Sequence, residues 1–264
     1  MRLKAAALAA LVAALTTPVI HAQRGQMPKP PETPLSKTLY NVADTMGMLR
    51  EGQEQDRIAT IKYWAAGTMM VNGQSYKITS YVGSVNYLAP GMRADITRTD
   101  AQGKSERVIE VVSGKSAWNE TKPGEGASAA AATTNMRLLQ IWMLPEGVVK
   151  AATAAGPAAK VVMQAGTTTL SFPIASINAT ITATIDSKNF ITQVEGRMGT
   201  TVVTTAYSDY GDYNGADYLS DVMFPKHIVQ KIGGVTTLDI TLTKTNTYNP
   251  YVVMPVPDSI AQKG

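Results

Sequence analysis

The chain of 264 residues contains no cysteine, two histidines and three phenylalanines, and each shortage excludes something. Without cysteine there is no disulfide in any compartment, so stability has to come from burial of a core. Zinc and other transition-metal sites are built mostly from His and Cys, and most nucleophilic triads use a His base. His21 falls in an amino-terminal export signal, which leaves His227 alone in the folded chain. A lone strand histidine without convergent partners reads as structural. No Gly-x-Ser-x-Gly elbow occurs either, so the usual hydrolase nucleophile is missing. These gaps argue for a protein that is not an enzyme and carries no metal or cofactor. Clusters of Lys and Arg are absent too: the formal charge of +4 includes Arg2 and Lys4, and acids and bases alternate elsewhere. That excludes a nucleic-acid footprint. No apolar run reaches the roughly 20 residues of a membrane-spanning helix.

What is present begins with a secretory signal over residues 1–22. Arg2 and Lys4 precede an unbroken run of Ala, Leu and Val over residues 5–15, and cleavage is expected after Ala22. The protein is therefore expected in a periplasm or the medium. Residues 23–34 carry Pro28, Pro30, Pro31 and Pro34 and read as a linker. Residues 35–264 read as a single β-rich domain. Its first element is an amphipathic helix over 36–50, capped by Ser36 and stopped by Gly52, with Leu39, Val42, Met46 and Leu49 on the face that packs on the sheet.

After that helix the period falls to two. Ile61, Tyr63, Ala65, Gly67, Met69 and Val71 form one row; Ala179, Ile181, Ala183 and Ile185 another; Thr236, Leu238, Ile240 and Leu242 a third. Strands with one dry and one wet face belong to an antiparallel sheet. Turn signals separate them at Asn72-Gly73, Pro90-Gly91, Gln102-Gly103, Ser113-Gly114, Asp186-Ser187, Gly211 and Gly233-Gly234. Residues 124–134, mostly Ala with Gly and Ser, read as a flexible loop. An island without alternation, 136–144, is restarted as a second helix by Pro145. The expected fold is α+β and mainly antiparallel β: a curved sheet or half-open barrel of about nine to eleven strands, covered by a few helices.

Two Gly-Lys-Ser triplets, at Gly103 and Gly114, lack the preceding glycine of a phosphate loop and read as hairpin turns. Asp209, Asp212, Asp217 and Asp221 interleave with Tyr207, Tyr210, Tyr213 and Tyr218. Their spacing does not match a calcium-hand loop, and a solvated hairpin is the preferred reading. A carboxylate pair of the glycosidase kind is the one catalytic alternative this segment offers. Thirteen methionines against three phenylalanines suit an adaptable apolar cavity, with ordinary core filling as the competing account. If the helical island covers the curved sheet, Trp142, Leu138 and Met143 line the cavity mouth, with Met69 and Tyr63 deeper. Trp64 lies on the opposite face of the strand from Tyr63.

Several runs carry a resemblance. Ser116-Ala117-Trp118-Asn119-Glu120, the eleven residues from Arg137 to Gly147, Tyr207-Ser208-Asp209-Tyr210, the run from Phe224 to Gln230, and Val256-Pro257-Asp258 occur in this order. Together they resemble the amino-terminal, non-catalytic region that precedes the hydrolase domain in exported metallo-β-lactamase-fold proteins. That region is similar in plan to the LolA/LolB-type periplasmic lipoprotein carriers, a curved antiparallel sheet closed by helices over a hydrophobic cavity. The likeness spans most of residues 35–260. The enzyme family's H-x-H-x-D-H run has no counterpart here, so none of its catalytic residues carries over. The resemblance implies either a free-standing accessory domain or the front piece of a longer protein. Two functions follow as expectations: a lipid- or lipoprotein-binding domain with an apolar cavity, or an interaction domain that docks a hydrolase or envelope partner and binds no small ligand.

Overall fold

Long stretches of alternating residues form the strands, and two short helices decide how the sheet curls. The computed structural model describes residues 32–50, 53–56, 58–213, 222–247, 249 and 251–261. The expected signal, residues 23–31 of the expected linker, Gly52, Asp217, Tyr218 and Asp221 lie outside the described residues. Helix α1 (Pro34–Thr45) is followed by a short strand pair, β1 (Leu49–Arg50) and β2 (Gln53–Asp56). Then β3 (Thr60–Val71), β4 (Gln74–Asn86), β5 (Gly91–Thr99), β6 (Ser105–Ser113), β7 (Ser116–Glu120) and β8 (Ser128–Ala129) meander outward. Helices α2 (Thr134–Met143) and α3 (Pro145–Ala155) cross over. The chain returns through β9 (Lys160–Gln164), β10 (Thr167–Ile174), β11 (Ala179–Ile185), β12 (Ile191–Met198), β13 (Thr201–Asp212), β14 (Met223–Ile232) and β15 (Val235–Asn246), and ends in a short helix, α4 (Asp258–Ala261).

All strands from β3 onward belong to one 13-stranded antiparallel sheet ordered β8-β7-β6-β5-β4-β3-β15-β14-β13-β12-β11-β10-β9. The pairing of β15 with β3 puts the first and last long strands side by side at its middle. Strands β8 and β9 are its edges, so the sheet is not closed. Helix α2 packs on β5 and β6 in one wing and on β12 in the other. Flat strands spaced at about 4.8 Å would hold β5 and β12 nearly 30 Å apart, far more than a helix about 10–12 Å across can bridge. The sheet therefore curls around α2. Gly196 of β12 allows the closest approach, since a side chain there would strike Met143 Sδ and Leu139.

The main core fills this curl. Leu139, Ile141 and Met143 of α2 meet Ile61, Ile181, Val194 and Phe224 of the sheet, all buried. Helix α1 packs on α3 and on the edge strand β9, and its end reaches β14, where the Met223 N–H donates to the Met46 carbonyl at 3.1 Å. It starts one turn upstream of Ser36, because Thr33 and Ser36 form a capping box with Pro34 in the first turn. It stops at Met46, where Gly47 turns with φ of 69°. Leu49 thus leaves the helix for β1, while Val42 and Met46 stay buried and Leu39 is half-buried.

Other departures from the sequence reading have local causes. Gly211 is not a turn but lies inside β13, where it allows close approach of the Tyr213 ring. Residues 124–134 hold β8 and a short 3-10 turn. The strand count exceeds eleven because short strands such as β7, β8 and β9 lack a long alternating run. A second, smaller core lies on the outer face: Ile109, Val111 and Trp118 are covered by Val252, Met254 and Ile260 of the carboxy-terminal segment. That segment is tied across strand ends by Thr60 Oγ1 donating to the Asn249 carbonyl (3.1 Å) and Asn86 Nδ2 to the Val252 carbonyl (2.9 Å). Trp64 does lie outside the main core, its ring flanked by the ammonium groups of Lys62 (5.0 Å) and Lys244 (5.4 Å). Among the described residues no helix is long and apolar enough to cross a membrane.

Candidate ligand-binding site

Helix α2 is the piece that any internal site depends on, and a buried arginine locks it in place. Arg137 Nη1 donates to the carbonyls of Val111 (2.9 Å) and Trp118 (2.7 Å), and Nη2 to Asn119 Oδ1 (2.7 Å). Glu110 lies 3.6 Å away. Beside it, Glu120 accepts from Arg93 (3.0 Å), the Trp118 indole (2.9 Å) and the Gly124 N–H (2.8 Å). Burial alone would raise the Glu120 carboxyl, but these donors outweigh it and hold the group below the usual carboxylate range. Two of the runs singled out in the sequence, the one centred on Trp118 and the one opening with Arg137, thus meet as a single polar clamp.

Beneath α2 lies an inner pocket of about 50 Å³. Its floor is the Tyr63–Tyr81 pair, stacked at 5.7 Å between ring centroids, and its wall includes Thr205, Tyr207, Gln140 and Gln230. Gly83 makes the floor possible, because a side chain there would occupy the Tyr63 ring. Tyr207 Oη donates to the Met143 carbonyl at 2.8 Å, fastening the carboxy-terminal end of α2. Burial raises the pKa of Tyr63, Tyr81 and Tyr207, so all three are neutral hydroxyls at ordinary pH. Tyr81, Gln140, Gln230 and Leu238 also line an open vestibule of about 290 Å³ that leads outward past Met69, Ile96 and Ile232. Glu110 is the one charged side chain in the described lining of pocket and vestibule.

A larger groove, about 650 Å³, lies between α3, the β4–β5 turn and the β10–β11 connection. One wall is Ala151, Ala154 and Ala155 of α3; Trp142, Pro173 and Ile174 form much of the rest. Leu88 stands at its edge, 80% exposed. Tyr87 packs against Trp142 with ring centroids 6.3 Å apart. The Lys150 ammonium, 5.2 Å from the Tyr87 ring centroid, is the charged group of the lining.

The residues expected to share one cavity are divided among these spaces. Tyr63 and Met143 line the inner pocket, Met69 the vestibule, and Trp142 the groove. Leu138 is half-buried against the main core and lines none of the three. The sequence reading overlooked Tyr81, Thr205, Gln140 and Gln230, and placed Tyr207 in an acidic loop instead of the core. Alternation along β4 and β13 is the signal that puts Tyr81 and Tyr207 on the inner face. His227 Nε2 lies 2.8 Å from Asp239 Oδ1, a half-buried pair on neighbouring strands. Asp209 takes up a left-handed backbone (φ 57°) within β13, and Tyr213 Oη donates to its carbonyl at 2.6 Å. Among the described residues no three His, Asp or Glu side chains come together as a metal site would require. No family model matches the sequence, and no curated protein does.

Proposed function

We propose that the chain is an exported binding domain that holds an apolar ligand, a lipid or the acyl chain of a protein, in the Trp142 groove between α3 and the sheet. The observation that carries this reading is the groove's size and lining. Its roughly 650 Å³ falls within the usual range of ligand sites, and its walls are Ala, Trp, Pro and Ile with one ammonium group. The inner pocket, at about 50 Å³, has room for little more than a water molecule, whose share of liquid volume is about 30 Å³, so it does not accept an acyl chain. An aromatic ring beside small aliphatic side chains offers large apolar area at little entropic cost. The runs that resemble the region preceding metallo-β-lactamase-fold hydrolases support a carrier or accessory role; three of them build the clamp and helices around these spaces.

The experiment is lipid extraction of the purified protein with mass analysis, joined to titration with a fluorescent fatty acid. Bound lipid and saturable titration are expected, with a shift in Trp emission that is lost in Trp142→Phe. Trp118 is fully buried and Trp64 lies on the outer face, so the two remaining indoles do not report on the groove. Lipid-free preparations that also fail to bind the fatty acid overturn the reading. A second reading, an interaction domain without a small ligand, is favoured by strand β9. This edge strand leaves Val162 and Met163 59% and 62% exposed, and an unpaired apolar edge is a template for a partner strand.

A further inference from the structure

We infer that strand β9 pairs with β9 of a second copy of this chain, antiparallel about a two-fold axis at Val162, so that one sheet runs through both molecules. The inference gives the interaction reading its partner and is independent of what the Trp142 groove holds. The two edges of the sheet are guarded unequally. Edge strands are ordinarily protected by shortness, a proline, a bulge or charged side chains. The β8 edge is two residues long. Strand β9 has five residues, no proline, and an unbroken register against β10. Its one charge is Lys160 at the start, and no charged residue follows until Asp186. Helix α1 packs on β9, yet Val162 and Met163, neighbours on opposite faces of the strand, stay 59% and 62% exposed.

The free backbone groups of β9 fit a second β9. Ala165 and Gly166 both have positive φ (49° and 79°) and form a two-residue turn of the primed type between Gln164 and Thr167. Gln164 and Thr167 are therefore the first hydrogen-bonded pair, and such pairs alternate along an antiparallel ladder. Val162 and Lys160 then also bond to β10, which leaves the N–H and C=O of Val161 and Met163 facing the open edge. These two residues stand symmetrically about Val162. In the two-fold pairing Val161 of each copy exchanges both bonds with Met163 of the other, so these groups are all satisfied. Val162 faces its own counterpart at the close, non-hydrogen-bonded position, where the two side chains cover each other's apolar surface. Lys160 comes opposite Gln164, whose carboxamide oxygen accepts from an ammonium, and the two lysines stay at opposite ends. Strands of five residues bury less than the about 1,200 Å² of a stable complex, so the dimer is reversible and concentration-dependent.

The test is sedimentation velocity of the full chain over a micromolar-to-millimolar concentration series, and a reversible monomer–dimer equilibrium is expected. Val162→Lys and Val162→Glu each set like charges face to face at the axis, and each variant alone is expected to stay monomeric. A mixture of the two in equal amounts should dimerise again, because opposite charges then meet; a merely damaged strand would not be rescued. Met163→Pro removes an N–H that points outward without touching the bonds to β10, and should weaken dimerisation about tenfold or more. Unchanged thermal unfolding of the single variants assigns these losses to the interface, as both positions carry exposed side chains. A chain that remains monomeric throughout the series overturns the inference and leaves β9 to some other partner. A dimer that survives Val162→Lys or Met163→Pro overturns it as well, and so does a mixture that fails to reassociate.

Discussion

The two ends of the curled sheet hold different spaces. At one end the Trp142 groove is wide, shallow and aliphatic, with an ammonium group in its lining; at the other the Tyr63 pocket is narrow and ringed by neutral hydroxyls and amides, with a carboxylate at its approach. The same helix serves both. Consecutive residues on a helix point about 100° apart, so Trp142 faces the groove while Met143 enters the pocket. The difference teaches that cavity size and charge are set by what lies across from a helix, not by the helix alone. Ala-rich α3 keeps its distance from the β4–β5 turn, whereas Gly196 and Gly83 let α2 and the Tyr63 ring settle onto the sheet.

The strongest way to break this comparison is to remove what both ends share. Arg137→Ala leaves two buried carbonyls and an amide without their donor, and is expected to cost about 3–5 kcal/mol, by analogy with breaking a buried charged pair. Urea unfolding measures it, and fatty-acid binding should weaken with it. Stability close to that of the unaltered chain would show that α2 is held by packing alone. A smaller change separates the two ends. Gly83→Val forces the Tyr63 ring out of its seat, at about 1–3 kcal/mol for overpacking. Fatty-acid binding at Trp142 should persist; its loss would mean the ends are coupled. The smallest effect sharpens the electrostatic contrast. Lys150→Gln should weaken a fatty acid a few-fold relative to the corresponding alcohol, an advantage of about 1 kcal/mol or less for a partly exposed charge. Raising the salt concentration should erase that preference in the unaltered protein.

How much of this was legible in the sequence depended on which faces meet water. Strands β11 and β15 alternate clearly, because one face is buried and the other solvated, and their positions followed from the pattern. Strand β6 reads Val108-Ile109-Glu110-Val111-Val112 without alternation, since the main core covers Val112 and the carboxy-terminal segment covers Ile109 and Val111. The helix break at Pro145 was visible in the chain because proline lacks an N–H and suits the first turn of a helix. The end of α1 was misjudged because Gly47 and Gly52 are equivalent signals to a local rule, and only the capped structure distinguishes them.

By itself the sequence determined a β-rich domain with antiparallel strands, a helical interruption, an outer face for Trp64 and an inner one for Tyr63, because those features follow from residue periodicity and the chemistry of proline and charge. Tertiary structure alone decided that β3 and β15 meet at the centre of one sheet, that Arg137 reaches the carbonyls of Val111 and Trp118, and that Trp142, Met143 and Met69 line three different spaces. These are contacts between residues distant in the chain. No local pattern encodes them, since they depend on how far a thirteen-stranded sheet curls and on the glycines that permit close approach.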